Sequence, residues 1–522
     1  MAEFEVHERD LLGRIGKLKT KSGTVETPAF LPVINIAKQT VSPKELWDNY
    51  GCRMLITNAY LIKKNQEETA KKEGIHRVLD FPGVVMTDSG AYQILAYGKV
   101  EVDPAEIVRF QEEINTDIAT ILDLPTGWKV SRKQAHVTVE ETIKRAKHLE
   151  ALKTRDDIAW VGPVQGGRYL DLVALSAREM RSLPFDVYAL GSPTPVMEQY
   201  RFDLLVDMVL TAKRNLPSNR PLHLFGAGHP FMFALAVALG CDMFDSAAYS
   251  LFAQTDRYLT SHGTTRIQNL EYLPCSCPVC ARMDPEDLVD APEEERRELL
   301  TKHNLYVCFK EMRMVKQAIA EGRLWEHLEM RAHGHPTLLQ ALKRFSQYSD
   351  YIERHSPVTK RSGLFFFSHL GLSRPEVVRH RKRLFQRYTP PENVRILILL
   401  PDLGRRHVRR GRWQKRALAV ALDKLGAEQS VVHVCVYAPP FGVIPTELRD
   451  VYPLSQYEYA FPPDRETVEY VANQAAEFAG AMKYEKTVML VKPGTWQETA
   501  AEICRRKCVD KGVSFEVLSL EG

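Results

Sequence analysis

The amino-acid sequence predicts an α/β protein built on a closed (β/α)8 TIM barrel, followed by one or two smaller α/β domains. Three observations lead to this prediction: eight short apolar runs between residues 30 and 247, amphipathic segments between them, and a change of pattern near residue 345. At about 100–200 residues per domain, a chain of 522 residues holds two to four domains. We expect domains at residues 1–345 and 346–522.

The eight apolar runs are nearly continuous, which is typical of parallel strands that are buried on both faces. Eight such strands alternating with helices are the number that closes a barrel. An open doubly wound sheet is the competing interpretation, but no GxGxxG motif follows the first run, so dinucleotide binding has no support. The runs are FLPV from Phe30, MLIT from Met54, VVMT from Val84, IATIL from Ile118, AWVGPV from Ala159, VYAL from Val187, LHLF from Leu222 and CDMF from Cys241.

The segments between the runs have helical periodicity. Residues 105–114 (AEIVRFQEEI) and 139–146 (VEETIKRA) place apolar side chains at helical intervals. Thr138 is followed three residues later by Glu141, which is the spacing of a capping box. We therefore expect the second helix to begin at Thr138.

The composition excludes several classes of protein. With 44% hydrophobic and 26% charged residues, the chain is not disordered, collagen-like or a coiled coil. No apolar run approaches the roughly 18–20 residues that span a bilayer, and the N-terminal MAEFEVHERD is charged, unlike a secretory signal. We expect a soluble, cytoplasmic protein without membrane contact.

Beyond residue 345 the chain contains four further strand-like runs and most of its clustered basic residues. The net charge is only +4, so a polyanion has to bind a local basic patch. Residues 405–416 carry seven Lys or Arg in twelve positions around a Trp, and residues 379–383 form a second cluster. A solvated helix face is the alternative, but Arg-rich segments with an aromatic residue favour phosphate contact. The candidate phosphate-binding residues are Arg405, Arg406, Arg409 and Arg410. The strand-like runs are RILILLPD, VVHVCVYA, TVMLVK and FEVLSL.

Three of the nine cysteines lie within six residues, at Cys275, Cys277 and Cys280. Three thiolates and one imidazole would supply the four ligands of a tetrahedral Zn²⁺ and leave no open position, so such a site is structural, with one ion per chain. His303 follows on an apparent helix, although spacing alone also permits His229 or His262. Unrelated buried thiols are the alternative, which the clustering disfavours.

Polar residues follow the predicted barrel strands. Active-site groups of a barrel lie at the carboxyl ends of its strands, so these side chains should converge at one rim. A single Asp after a strand is usually a helix N-cap, but three aspartates at one rim indicate chemistry. Glycines at 90, 166, 167 and 191 suggest that the backbone approaches a flat ligand closely. The strand-end residues are Asn58, Asp88, Asp123, Gln165, Gly191, Phe225 and Asp245.

The motifs TDSGAYQ, LDLPT, VQGG, YALGS, LFGAGHP, FDSAAY and CxCxxC with a distal His resemble the tRNA-guanine transglycosylase family, and the ensemble looks like its archaeal, archaeosine branch. The resemblance covers roughly residues 1–345. It implies a TIM barrel with an inserted zinc subdomain at about 270–310 and makes His303 the expected fourth ligand. It also implies exchange of guanine 15 in the tRNA D-arm for 7-cyano-7-deazaguanine (preQ0), a step toward archaeosine.

Exchange of one base for another at the same sugar carbon, without capture by water, calls for double displacement with two carboxylates. By resemblance, Asp245 attacks C1′ of the ribose and Asp88 protonates the leaving purine, although the sequence alone allows these two to exchange roles. The resemblance also makes Asp123 the acceptor of the guanine N1–H and 2-amino groups. The remaining expected base-binding residues are Gln165, Gly166, Gly191, Tyr92 and Phe225.

Two departures from the family pattern affect the expected partners. Archaeal relatives commonly end in a PUA domain, which we do not find before Gly522, so we expect either a separate PUA-bearing partner or fewer contacts to tRNA. Pro193 stands in the loop that would face the nitrile of preQ0, and proline has no N–H to donate. The resemblance further implies a homodimer.

Three other functions compete with preQ0 exchange. One is a transglycosylase of the queuine or preQ1 type that acts at position 34. Another is a tRNA-binding paralogue without catalysis, which is disfavoured because the aspartates and cysteines are all present. A zinc-dependent hydrolase would need an open metal site, whereas three cysteines and a histidine close it.

Overall fold

The computed structural model describes residues 2–91, 103–403 and 410–519. The predicted site residues Tyr92, Arg405, Arg406 and Arg409 therefore lie outside the described residues. The chain divides into two compact units, Met1–Phe345 and Ser346–Gly522. No helix in the described parts of the chain is both long and apolar enough to cross a bilayer.

The first unit begins with a three-stranded antiparallel sheet that the sequence did not predict. Its strands are β1 Glu3–Asp10, β2 Gly13–Lys19 and β3 Thr24–Thr27, in the order β1-β2-β3. Most residues of β1 are exposed or half-buried, and the alternation that begins with Phe4 and Val6 ends there, because Glu8 and Asp10 occupy its next two positions. The hydrophobic pattern therefore carries little signal for this sheet.

The eight predicted runs form the eight strands of a closed parallel barrel, which confirms the predicted fold class. The strand order is β10-β11-β4-β5-β6-β7-β8-β9, so the chain closes the barrel between β11 and β4. Inward-facing apolar residues, including Leu31, Ile56, Met86 and Met243, form one buried cluster inside it. The strands are β4 Ala29–Ile34, β5 Met54–Asn58, β6 Val84–Asp88, β7 Ile118–Thr120, β8 Ala159–Val164, β9 Val187–Leu190, β10 Leu222–Leu224 and β11 Met243–Ser246.

Helices connect the barrel strands, and local capping residues fix where they begin. The second predicted helix begins at Arg132, where Ser131 and Gln134 form the capping box. The predicted start at Thr138 was wrong because the first turn, Arg132 to Gln134, is polar and exposed and lacks an apolar signature. The helices are α1 Pro43–Tyr50, α2 Ala59–Glu73, α3 Ile75–Leu79, α4 Pro104–Glu113, α5 Arg132–Leu152, α6 Leu170–Arg181, α7 Thr194–Glu198, α8 Phe202–Asn215, α9 Phe233–Ala238 and α10 Ala248–Ala253.

A hairpin and a group of helices complete the first unit after the barrel. The hairpin consists of β12 Arg257–Thr260 and β13 Gly263–Arg266. A small buried cluster joins this hairpin to Cys277, Cys280 and the helices that follow. These helices are α11 Pro285–Asp290, α12 Glu293–Ala320, α13 Leu324–Ala332 and α14 Pro336–Phe345.

The second unit contains one five-stranded sheet, into which all four predicted C-terminal runs fold. The order is β17-β16-β15-β19-β20, parallel except for β17. Two apolar clusters cover its faces. The strands of this unit are β14 Leu364–Phe366, β15 Ile396–Pro401, β16 Val432–Ala438, β17 Gly442–Pro445, β18 Tyr457–Tyr459, β19 Lys486–Val491 and β20 Phe515–Ser519, and the helices are α15 Ser349–His355, α16 Pro375–Gln386, α17 Arg410–Leu425, α18 Arg465–Ala481 and α19 Trp496–Asp510.

The basic cluster at residues 379–383 is largely neutralised within the second unit. Arg379 is buried, and its Nε donates to the Glu353 carboxylate at 2.8 Å. Lys382 forms ion pairs with Glu353 and Asp350. The prediction that this cluster contacts phosphate was therefore wrong for Arg379, because a sequence of basic residues does not reveal which ones are used to hold helices together.

Candidate active site

A cleft of about 1140 Å³ opens at the carboxyl ends of the barrel strands. The barrel brings the strand ends to one rim, so residues far apart in sequence meet there. Gly166 follows the buried Gln165 but does not line the cleft. The predicted strand-end residues that line it are Asn58, Asp88, Asp123, Gln165, Gly191, Phe225 and Asp245.

Asp88 ends strand β6 opposite Asn58 of β5, whose Nδ2 donates to Asp88 Oδ2 at 3.1 Å. Burial raises the pKa of Asp88 to about 7, and the nearby charges of Asp123 and Asp245 contribute to the rise. Near neutral pH this carboxyl group therefore passes between its protonated and ionised forms. It can both donate and accept a proton, as a general acid and base requires.

Asp123 lies three residues beyond β7, and burial raises its pKa to about 6. Gln165 Nε2 donates to Asp123 Oδ2 at 2.5 Å. The other end of that amide is fixed as well, because Gln165 Oε1 accepts hydrogen bonds from Ser192 Oγ at 2.8 Å and Thr126 N at 3.1 Å. Gly191 makes room for this arrangement, since a Cβ there would lie 2.2 Å from Gln165 Nε2.

Asp245 lies in β11, and two donors hold one of its oxygens. His223 Nε2 lies 2.8 Å from Asp245 Oδ1, and Gly226 N donates to the same oxygen at 2.9 Å. Because a carboxylate only accepts, the buried His223 carries its hydrogen on Nε2. In the described part of the chain, no hydrogen bond engages Asp245 Oδ2, so this oxygen is available to a ligand in the cleft.

His223 is a site residue that the sequence analysis missed. It lies inside the run LHLF, whose apolar pattern predicts only a strand. Its exposure is 0%, and its Nδ1 has no hydrogen-bond partner among the described residues. A histidine inside an otherwise apolar barrel strand is the signal that could have identified it, because burial of such a ring requires a polar partner.

A second cluster brings together the four predicted metal ligands. The ligand atoms of Cys275, Cys277, Cys280 and His303 all lie within 4.8 Å of one another. His303 Nδ1 lies 3.5 Å from Cys277 Sγ and 3.3 Å from Cys280 Sγ, while His303 Nε2 lies 2.9 Å from the Leu259 carbonyl oxygen. That carbonyl accepts the Nε2 hydrogen and leaves Nδ1 free to bind a metal. The group could thus hold a metal ion such as zinc with four protein ligands.

Comparison with known proteins identifies the family. The model of the TGT family, described as Queuine tRNA-ribosyltransferase, matches residues 10–337. The chain belongs to this family. A domain of unknown function matches residues 377–519, within the second unit.

Similar proteins include the tRNA-guanine(15) transglycosylase of Sulfolobus acidocaldarius, which is 39% identical over 497 residues, covering 94% of this chain and 95% of that protein. The protein of the same name from Methanocaldococcus jannaschii is 44% identical over 465 residues, or 87% of this chain and 68% of the relative. The protein of this name from Pyrobaculum aerophilum is 44% identical over 460 residues, which cover 87% of this chain and 90% of that protein. The protein is therefore a transferase of the TGT family.

Replacement of Asp88 should change stability in a way that depends on pH. The folded pKa of about 7 exceeds the ordinary value of 3.8, so the stability associated with the protonated group is complete below about pH 4 and is lost as pH rises through 7. Asn cannot ionise. We expect Asp88→Asn to raise the free energy of unfolding, measured by urea titration, by roughly 1–3 kcal/mol at pH 8 and by much less at pH 4. A rise of three pKa units corresponds to roughly 4 kcal/mol. The expected range is smaller because the cleft admits solvent.

The matched control for this titration is Asp203→Asn. A hydrogen bond from Arg201 lowers the pKa of Asp203, so its replacement should not stabilise the protein at pH 8. An Asp88→Asn protein that is no more stable than the wild type at pH 8 would show that burial does not raise the pKa of this carboxyl group.

Metal content provides a separate test of the cysteine cluster. We expect about one zinc ion per chain by elemental analysis, because four soft or borderline donors favour Zn²⁺. Cys280→Ser should reduce the zinc content to well below one per chain and lower the melting temperature. The control is Cys308→Ser, since Cys308 is buried but lies outside the cluster and should retain the full zinc content. Equal zinc in both variants would contradict the assignment.

Proposed function

We propose that this protein replaces guanine 15 in the D-arm of tRNA with preQ0 through a covalent aspartyl-ribosyl intermediate, as a step in archaeosine synthesis. The observation that carries the proposal is that Asp88 and Asp245 line one cleft and lie close enough for the charge of Asp245 to raise the pKa of Asp88. Family membership supports exchange of guanine in tRNA in general, and the names of the similar proteins favour position 15.

The first half of the reaction releases guanine. Asp245 Oδ2 attacks C1′ of the ribose as the bond between C1′ and the purine nitrogen breaks, and the electron pair of that bond leaves with guanine. Asp88 supplies the proton that neutralises the leaving base. Because His223 and Gly226 donate to Asp245 Oδ1, the attacking carboxylate has a fixed orientation and is not free to rotate away from the sugar.

The second half reverses these steps with preQ0. Asp88, now ionised, removes the proton from the ring nitrogen of the incoming base, and that nitrogen attacks C1′. The ester bond to Asp245 breaks and returns its electron pair to the carboxylate. The proton given up by Asp88 is thus recovered, and a pKa of about 7 suits both directions of transfer. No external energy source is needed, because one glycosidic bond replaces another.

The base itself would be recognised by residues around Asp123. At neutral pH, a carboxyl group with a pKa of about 6 is mostly ionised and accepts the N1–H and 2-amino hydrogens of a guanine-type base. Gln165 and the backbone at Gly166 would bind the carbonyl side, with Gly191 leaving the space that Gln165 needs. Phe225 would pack on one face of the ring, and we propose Tyr92 for the other.

The remaining parts of the proposal concern tRNA and metal. A base in the D-arm is stacked and paired, so it has to be extruded before the cleft can bind it. Extrusion costs free energy, which phosphate contacts would offset. The residues proposed for these contacts are Arg405, Arg406, Arg409 and Arg410. We propose that the ion held by Cys275, Cys277, Cys280 and His303 is a structural zinc, which takes no part in the exchange.

Trapping experiments distinguish the roles of the two aspartates. Incubation with tRNA in the absence of incoming base should yield a covalent protein–tRNA adduct on a denaturing gel. Asp245→Asn should form none, whereas Asp88→Asn should form it about 10²- to 10⁴-fold more slowly, as expected for loss of a general acid. The control Asp123→Asn should weaken base binding but permit the adduct. An adduct formed by Asp245→Asn would reverse the assignment.

Substrate assays separate the proposal from its main alternative, exchange at position 34 with queuine or preQ1. We expect preQ0 to release labelled guanine from a tRNA transcript altered at position 34 but not from one altered at position 15. preQ1 and queuine should release little from either transcript. Release that requires position 34 would favour the alternative, and an absence of release with every base would favour a non-catalytic tRNA-binding protein.

A further inference from the structure

The cleft is larger than the exchange of one base requires. Its volume of about 1140 Å³ exceeds the roughly 300–1,000 Å³ of pockets that enclose a drug-sized ligand, and a single nucleobase is smaller than such a ligand. The catalytic aspartates occupy only part of its lining. Another part is formed by five aromatic side chains that the proposed reaction does not use.

These five side chains, which we call the aromatic wall, form a connected group of ring contacts within the first unit. Tyr200 and His335 stack with ring centroids 5.3 Å apart and planes 18° apart. Phe231 packs edge-on against His335 at 6.0 Å and against Phe202 at 5.3 Å. All members of the wall line the same cleft as Asp245: Tyr200, Phe202, His229, Phe231 and His335.

Exposure within the aromatic wall is uneven. Phe202 is 1% and Phe231 7% exposed, so these two rings form a buried support. Tyr200, in contrast, is 52% exposed although it stacks on His335. A large ring that is supported on one side and open on the other is suited to stack against a flat ligand.

The backbone at Tyr200 is strained in a way that holds this ring in place. Its φ is +53°, a left-handed conformation that is uncommon for a bulky residue other than glycine. The Tyr200 N–H donates to Met197 O at 2.9 Å, and the Arg201 N–H donates to Val196 O at 3.1 Å, so the turn after α7 is fixed. Strained residues that persist in a structure cluster at binding sites, where a fixed orientation is useful.

The charged side chains that line the same cleft suit a nucleotide. Lys38 and Arg257 line the cleft, and among the described residues neither forms an ion pair with a carboxylate, so both are available to phosphate. Glu198, two residues before Tyr200, also lines the cleft and can accept hydrogen bonds from base amino groups. Burial, with a contribution from His335, lowers the pKa of His229 to about 3, so this ring is uncharged at neutral pH.

We propose that the aromatic wall is a stacking subsite for the base of a nucleotide next to the exchanged guanosine in tRNA. This inference rests on the proposed function. Extrusion of one base removes stacking from its neighbours, and an aromatic platform in the same cleft replaces part of that lost energy. An RNA base is favoured over other occupants because the wall is continuous with the base-exchange site and combines an open ring with cationic side chains.

The test compares Tyr200→Ala with Tyr200→Phe on full-length tRNA. Loss of one stacked base should raise the KM for tRNA about 5- to 100-fold in Tyr200→Ala. Tyr200→Phe retains a ring and should stay within about 2-fold of the wild type. The KM for the free incoming base should not change in either variant. Tyr272→Ala, which removes an exposed tyrosine outside the cleft, is the control and should leave all these constants unchanged.

Transcripts with an abasic sugar on either side of the exchanged guanosine identify the stacked base. On one of these two transcripts, the affinity of the wild type should fall by a certain factor. The affinity of Tyr200→Ala for intact tRNA should fall by the same factor. Tyr200→Ala should lose no more on that transcript, because the ring and the base act as one contact. Three results would each overturn the subsite. The first is that the losses of affinity caused by the abasic sugar and by Tyr200→Ala multiply when the two changes are combined. The others are that Tyr200→Phe raises the KM for tRNA as much as Tyr200→Ala does, or that Tyr200→Ala leaves this KM unchanged.

Failure of this inference is distinguishable from failure of the proposed function. The wild type with intact tRNA and preQ0 tests the exchange itself, independently of Tyr200. If guanine is released and the Tyr200 variants behave like the wild type, only the subsite is wrong. Melting temperatures of the variants should match that of the wild type within a few degrees; a large fall in Tyr200→Ala but not in Tyr200→Phe, with an unchanged KM for tRNA, would assign the ring a structural role instead.

Discussion

The central physical constraint of this protein is the enclosure of three carboxyl groups at one rim of a barrel. Like charges that lie close together oppose one another's ionisation. The pKa of Asp88 rises to about 7 and that of Asp123 to about 6, whereas Asp245 accepts two hydrogen bonds at one of its oxygens. Different surroundings thus give chemically identical groups different properties, and such a difference would suit the proton-carrier and nucleophile roles that we propose for Asp88 and Asp245.

Glycines behind the carboxyl groups make this enclosure sterically feasible. A Cβ at Gly90 would lie 2.5 Å from Tyr60 Cβ, and one at Gly226 would lie 2.4 Å from Thr194 Oγ1. Both glycines also have positive φ, +97° and +66°, which disfavours any other residue. The Gly226 N–H reaches Asp245 only because the backbone turns in this way. The glycines therefore fix donor positions, rather than simply providing space for a flat ligand.

The barrel strands and most of the residues at their carboxyl ends could be predicted from the sequence, because both depend on a local pattern. Buried parallel strands are continuous apolar runs, and the residues that follow them must face one side. The roles of His223 and Tyr200 depend instead on long-range contacts: His223 acts on a residue 22 positions away, and Tyr200 stacks on a ring that follows it by more than one hundred positions. For Arg379 the sequence predicted a contact with phosphate that the structure contradicts. The charge of Arg379 is visible in the sequence, but its pairing with Glu353 is not.

The metal cluster connects to the cleft through the hairpin β12–β13. His303 Nε2 lies 2.9 Å from the Leu259 carbonyl oxygen, and its ring stacks on Tyr258 at 3.6 Å. The next residue, Asn304, binds Leu259 N and the Arg257 carbonyl oxygen, at 2.9 and 3.2 Å. Arg257 in turn lines the cleft. A metal ion held by this cluster would therefore still affect the cleft without entering it, because the cluster fixes the strand that carries the Arg257 cation to the edge of the cleft.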